Sequence, residues 1–300
     1  MNQPTPQGPT VKLSKTESFD VNPLIYIVAG WQKFRQTNLV SAIVIGLLSI
    51  ASFVSLLMYG GTILDKWYGQ AIGKDNWQEL ATQIGAGVFA FILVQIILGI
   101  AVNRVILTGS QGVKLSASDI LNQTLRRIPI NIATVLTIFV LAAVAIGLIV
   151  ASGVYIHPAV AVLLAILAFF GIFAVMFVLM PLRCILVDDN TPSNPFAAFK
   201  MSYSVIKRAT VAFLVIGVLY FGVSSVTGNI QQFVPLPGSS SIVNIQERAD
   251  KEEAPTKSEI KDLLKFMQYS AVISMIPSIA LDYALMLGLS ELYSRVKKAS

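Results

Sequence analysis

The side chains best placed to do chemistry lie in one C-terminal stretch. Ser270, Ser274, Ser278 and Asp282 recur every four residues, so they share one slowly rotating face of a helix. The surrounding residues are apolar enough to cross a membrane, where a charged carboxylate costs roughly 2.5–3.5 kcal/mol on insertion. Asp282 must therefore face protein or water, or keep its proton. Pro277, in the same stretch, frees a backbone carbonyl. A second polar row, Gln83, Gly87, Gln95, Gly99 and Asn103, lies in another apolar run. If the two rows face each other, Asp282, Ser278, Ser274, Gln95 and Asn103 form a candidate intramembrane polar site for a proton, a cation or a lipid headgroup. The same residues suit interhelical hydrogen bonding, with Ala280, Ala284 and Gly288 as a small-residue ridge for close packing. The structural role is the preferred reading and a polar pathway is the alternative.

Other reactive groups are sparse. Cys184 is the only cysteine and His157 the only histidine, which excludes a four-thiolate metal site and histidine-rich metal chemistry. Cys184 reads as a passive small hydrophobe, and His157, beside Pro158, as a turn residue. Asp188 and Asp189 open a Pro-containing loop and read as turn and cap residues without companion metal ligands. An intramembrane enzyme needs convergent acids or a nucleophile–base pair, and only one acid sits at depth. No catalytic activity and no cofactor are expected.

The elements that must position these groups are membrane helices. Of the 300 residues, 55% are hydrophobic and 13% charged, with a mean hydropathy of +0.71. Soluble domains carry about a quarter charged residues. The apolar residues come in long runs of the length a bilayer requires. Six spans are expected, over 39–59, 82–107, 130–151, 157–181, 210–226 and 267–289. The third and fourth are separated by a tight turn at 152–156. Residues 1–21, polar and containing Pro4, Pro6 and Gly8, read as a disordered cytoplasmic tail rather than a signal peptide. With both termini cytoplasmic, 15 of the 22 basic residues fall on the inner side, as the positive-inside rule demands. This asymmetry accounts for a pI near 9.4 through attraction to anionic headgroups, with no nucleic acid partner. Trp31, Trp67 and Trp77 read as interfacial anchors.

The chain repeats one unit three times: a basic helix at the interface, then a helical hairpin. The leading segments are Asn22-Pro23 to Arg35, Ser118-Asp119 to Arg127, and Asn194-Pro195 to Arg208. Asn before Pro is an N-cap followed by a residue preorganised for the first turn. Each segment ends in a basic pair, Lys33 with Arg35, Arg126 with Arg127, and Lys207 with Arg208. These suit the helix dipole and an anionic lipid surface and are the expected anionic-lipid contacts. Arg104, Arg183 and Glu291 fall at matching positions where the even spans end. Pseudo-threefold packing would let them converge as an inner-face charge cluster; the alternative is ordinary snorkelling.

The stretch Leu186-Val187-Asp188-Asp189, Pro195-Phe196-Ala197-Ala198-Phe199-Lys200-Met201-Ser202-Tyr203 and Lys207-Arg208 resembles a segment of certain bacterial six-helix membrane families. These include the membrane domain attached to some glycerophosphodiester phosphodiesterases and related stand-alone membrane proteins of unknown function. The resemblance implies a fold and a bacterial inner-membrane setting. It implies no enzyme activity, since the phosphodiesterase catalytic barrel has no counterpart here.

The expected fold class is thus all-α: a polytopic membrane bundle of six transmembrane helices as three hairpins, each preceded by a basic interfacial helix, filling 22–300. The outer loop, 228–266, is its longest polar segment and a candidate contact for a membrane protein partner. Within it Thr256 and Glu259 have capping-box spacing, and Ile260, Leu263, Leu264 and Met267 continue a helical stripe into the last span. The expected role is a non-enzymatic scaffold, assembly or lipid-organising module of the bacterial inner membrane, with membrane lipids as partners. The alternative is a transporter or channel component with its polar pathway around Asp282.

Overall fold

The computed structural model describes residues 19–68, 74–155, 157–191, 194–228 and 256–299. Most of the expected tail (1–18) and most of the outer loop (229–255) lie outside them. Among the described residues the chain is all-helical and has no strand. Eight helices follow in order: α1 Pro23–Thr37, α2 Leu39–Trp67, α3 Lys74–Ser110, α4 Ala117–Tyr155, α5 Pro158–Ile185, α6 Pro195–Arg208, α7 Thr210–Gly228 and α8 Lys257–Lys298.

Four stretches are long and apolar enough to cross a membrane: α2, residues 76–110 of α3, residues 117–152 of α4, and α8. A fifth is obtained if α6 and α7, bent by 104° at Ala209, count as one broken span. This is a multi-pass membrane protein.

The helix starts follow local chemistry. The Asn22 side chain accepts from the Leu24 amide at 3.1 Å, and Asn194 accepts from the Phe196 amide at 2.9 Å, so both Asn-Pro pairs cap as expected. The middle start differs: Ser116 rather than Ser118 is the cap. Its hydroxyl accepts from the Asp119 amide at 3.2 Å while Asp119 accepts from the Ser116 amide at 3.3 Å, a reciprocal box with a carboxylate in the first turn. Thr256 and Glu259 form the expected capping box. His157 caps α5, its Nδ1 accepting from the Ala159 amide at 3.1 Å.

Two helices run further than the sequence suggests. The basic segment before the third span is no separate interfacial helix, because α4 passes through Pro129 unbroken. The carbonyl that a proline strips of its partner belongs to the residue four back, here Leu125, which is half exposed and needs no buried substitute. α8 passes Pro277 likewise and continues beyond 289 to Lys298. Its 42 residues amount to about 63 Å at the α-helical rise, twice a hydrocarbon core.

α2 packs on α3, α4 on α5, and α7 on α8, while α8 also touches α1, α2, α3 and α5. α1 and α8 approach each other closely. A Cβ at Gly30 would stand 2.9 Å from the Leu287 carbonyl oxygen, and one at Gly288 would stand 2.7 Å from Ile27. The buried core lies at one end of the bundle, around Tyr26, Phe34, Val105, Ile106, Ile185, Phe213, Leu292 and Tyr293. We call this the hub end.

Candidate functional site

At the hub end the chain leaves α5 through the turn 186–191, and three other elements converge on it. Arg104 of α3, 6% exposed, donates to the Val187 carbonyl and to the Asp189 carboxylate. Its Nε donates to Gln123 of α4 at 2.7 Å. Arg127 of α4 donates to the Asp188 carbonyl and lies 3.7 Å from the Asp189 carboxylate. The Asp188 carboxylate accepts from Lys297 at 2.6 Å and from the Tyr293 hydroxyl at 2.9 Å, both on α8. It also accepts from the Asn190 amide at 3.1 Å. Burial opposes its ionisation, but the Lys297, Asn190 and Tyr293 bonds outweigh burial and hold the carboxyl below its ordinary range. The backbone of the turn is closed by Thr191, which donates to the Ile185 and Asp188 carbonyls.

A neighbouring chain of contacts ties in α1. Lys33 meets Glu291 at 2.9 Å, and Glu291 also takes Arg295 at 3.0 Å. The Arg295 guanidinium lies over the Tyr26 ring at 5.2 Å, whose hydroxyl donates to the Asp20 carbonyl. Asn38, at the break between α1 and α2 and 1% exposed, donates to the Val105 carbonyl, Thr108 and the Val113 carbonyl, and accepts from the Leu115 amide. It thereby holds the turn between α3 and α4, where Gly112 takes a positive φ of 79° that disfavours any side chain.

The three charges expected to converge do not share partners. Arg104 pairs with Asp189, Arg183 with Asp282, and Glu291 with Lys33 and Arg295. Arg183 turns along α8, where its guanidinium meets Asp282 at 3.0 Å and the Tyr220 hydroxyl at 3.3 Å. Gln95, Ser274 and Asp282 of the two polar rows bond to groups outside the facing row. Gln95 bonds across to α2, accepting from Ser49 at 2.8 Å and donating to Ser52 at 2.7 Å. Ser274 donates back to the Ser270 carbonyl of its own helix. Ser278 and Asn103 are half-buried. Asp282 is thus an ion-pair member.

Of the expected lipid-facing cations, Lys33, Arg35, Arg126, Lys207 and Arg208 are exposed and Arg127 is buried. The reason is helical phase: Arg127 and Arg126 are neighbours about 100° apart around α4, and only the former faces the 186–191 turn. Trp67 is 7% exposed and donates to Gln83 at 3.0 Å, so it packs inside, whereas Trp31 and Trp77 are exposed. Cys184 is buried with its sulfur 3.6 Å from the Ser290 hydroxyl.

Asn38, Asp188 and Asp189 are the residues sequence reasoning missed as a site, and Arg127 was expected at the lipid surface instead. Only Asp188-Asp189 carried a signal, a double acid directly after an apolar run. No group of three or more metal-ligating side chains occurs among the described residues.

No family model, curated protein or solved structure matches this chain.

Proposed function

We propose that this chain is a non-enzymatic module of the bacterial inner membrane that organises lipid or scaffolds a membrane assembly from its cytoplasmic face. In this reading the hub end is cytoplasmic. The six spans are α2 to α5, the bent α6–α7 segment and α8, paired as three hairpins. The hub then fixes the basic amphipathic segments at the height of the headgroups. The observation that carries the reading is what those segments display. Leu24, Val28 and Trp31 of α1, Leu121 and Leu125 of α4, and Phe196 and Tyr203 of α6 are all exposed. Beside them stand the exposed cations Arg35, Arg126, Lys200 and Lys207. Exposed aromatic and aliphatic side chains among lysines and arginines fit the boundary between acyl chains and anionic headgroups. The resemblance to the six-helix bacterial membrane families points the same way. The transporter alternative draws less support, because Asp282 and Gln95 are taken up by side-chain partners in their own bundle.

Mild-detergent purification of the full chain, with mass spectrometry of retained lipids and proteins, tests the reading. Enrichment of acidic phospholipids over the bulk membrane supports lipid organisation. A stoichiometric protein partner supports a scaffold, with the 228–266 loop as the first contact to examine. Absence of both lipid enrichment and a protein partner would count against the proposal.

A further inference from the structure

A partly enclosed cleft of about 320 Å³ is lined by residues of α4, α5, α7 and α8. Its walls are apolar, with Ile138, Met180, Ile216 and Leu285 among them, except where Thr134, Arg183 and Tyr220 reach it. Arg183 is held by Asp282 and Tyr220, yet its side chain is still 42% exposed. A guanidinium carries five N–H donors, and two bonds account for two of them. Asp282 takes no part in lining the cleft. What the cleft presents is therefore a hydrocarbon-like wall with one cation on it, whose counter-ion Asp282 stands outside the lining.

That combination selects an occupant with a long apolar chain and an acidic group. We propose that the cleft is an intramembrane lipid site, in which an acyl chain of an acidic phospholipid lies along α5 and α8 and its phosphate oxygens accept from Arg183. Guanidinium suits phosphate because its donors form a planar fork. Asp282 has two roles in this site. It keeps Arg183 oriented when the cleft is empty, and it competes with the phosphate for the same donors. The site rests on the reading of the chain as a lipid-organising membrane protein, and it is separate from the basic segments that display Arg35, Arg126 and Lys207.

The test uses the full chain in nanodiscs containing phosphatidylglycerol or phosphatidylcholine with a photoactivatable acyl chain, followed by peptide mapping. The expected result is labelling of the Leu179–Leu186 and Leu285–Leu289 peptides by the phosphatidylglycerol probe above the phosphatidylcholine probe, by a factor on the order of ten. Arg183→Gln combined with Asp282→Asn removes both charges without stranding either, and it should bring labelling down to the phosphatidylcholine level. Asp282→Asn alone removes the competitor and should raise phosphatidylglycerol labelling. Equal labelling by the two lipids, or labelling indifferent to the double substitution in a protein that melts normally, overturns the site. Peptides of α1 and α6 from the same digest keep the two ideas apart. Anionic preference there but not in the cleft overturns only the cleft site. Preference in neither place overturns the interfacial reading as well.

Discussion

The hub end and the far half of the bundle are built from the same helices but held by different means. At the hub end, buried side chains of α3, α4 and α8 meet around the turn 186–191, α1 is tied in through α8, and buried charges there have partners. In the far half, every residue of α4 from Phe139 to Leu148 is exposed, and the helix backbone supplies its own hydrogen bonds. A helix in hydrocarbon needs nothing more, since lipid solvates leucine as well as a protein neighbour does. The contrast teaches where a membrane protein of this kind stores its specificity. Apolar length sets how many crossings there are. A few polar groups at one end set which crossings are neighbours and what they display.

Removing a hub cation should have the largest effect. Arg104→Ala leaves Asp189 with only the longer contact to Arg127 and the Val187 carbonyl without its donor, so about 3 kcal/mol of stability should be lost, read as a large drop in melting temperature in detergent. Gly30→Leu should come next, because its side chain would meet the Leu287 backbone. Overpacking of that kind costs about 1–3 kcal/mol, and loss of the α1–α8 contact should show as faster proteolysis of α1.

Acid should loosen the same end. The folded-state carboxyl of Asp188 sits below its ordinary range. Its contribution is therefore complete above the unfolded value of about 3.9 and is lost as pH falls through the lower folded value. Asp188→Asn should flatten the fall in melting temperature below about pH 4 relative to the parent. Far-half substitutions should do least. Val144→Ala should change stability by no more than about 0.5 kcal/mol. Asp65→Asn, which removes exposed contacts to Lys257 and Lys261 at 3.1 and 2.9 Å, should leave the melting temperature unchanged. A large loss from either would mean that the far half is packed by protein after all.

The two halves also differ in how far they can be read from the chain. Apolar runs, Asn-Pro caps and the Thr256–Glu259 box act over a few residues, so spacing reveals them. The hub is a tertiary object. Asn38 looks like an unremarked polar residue between two helices, yet it holds a turn more than sixty residues away. Asp188 was legible as a turn residue, and it does accept from Asn190; its bond to Lys297 depends on where α8 passes. Arg126 and Arg127 are equivalent in sequence, and only the helical phase of α4 against the turn separates a buried cation from an exposed one. Continuity through Pro129 was hidden for a related reason, whereas the last span was expected to run through Pro277 and does. A proline interrupts a helix only when the freed carbonyl has no other way to be satisfied.

The most direct test of the account is lipid retention by the triple variant Arg35→Gln, Arg126→Gln, Lys207→Gln, measured by native mass spectrometry from bilayers of mixed acidic and zwitterionic phospholipid. These three cations are exposed and take no part in the hub. The account predicts a protein that melts like the parent and has lost most of its preference for acidic lipid. A variant that folds normally and retains acidic lipid as the parent does would contradict the claim that the hub exists to present a basic face to the membrane.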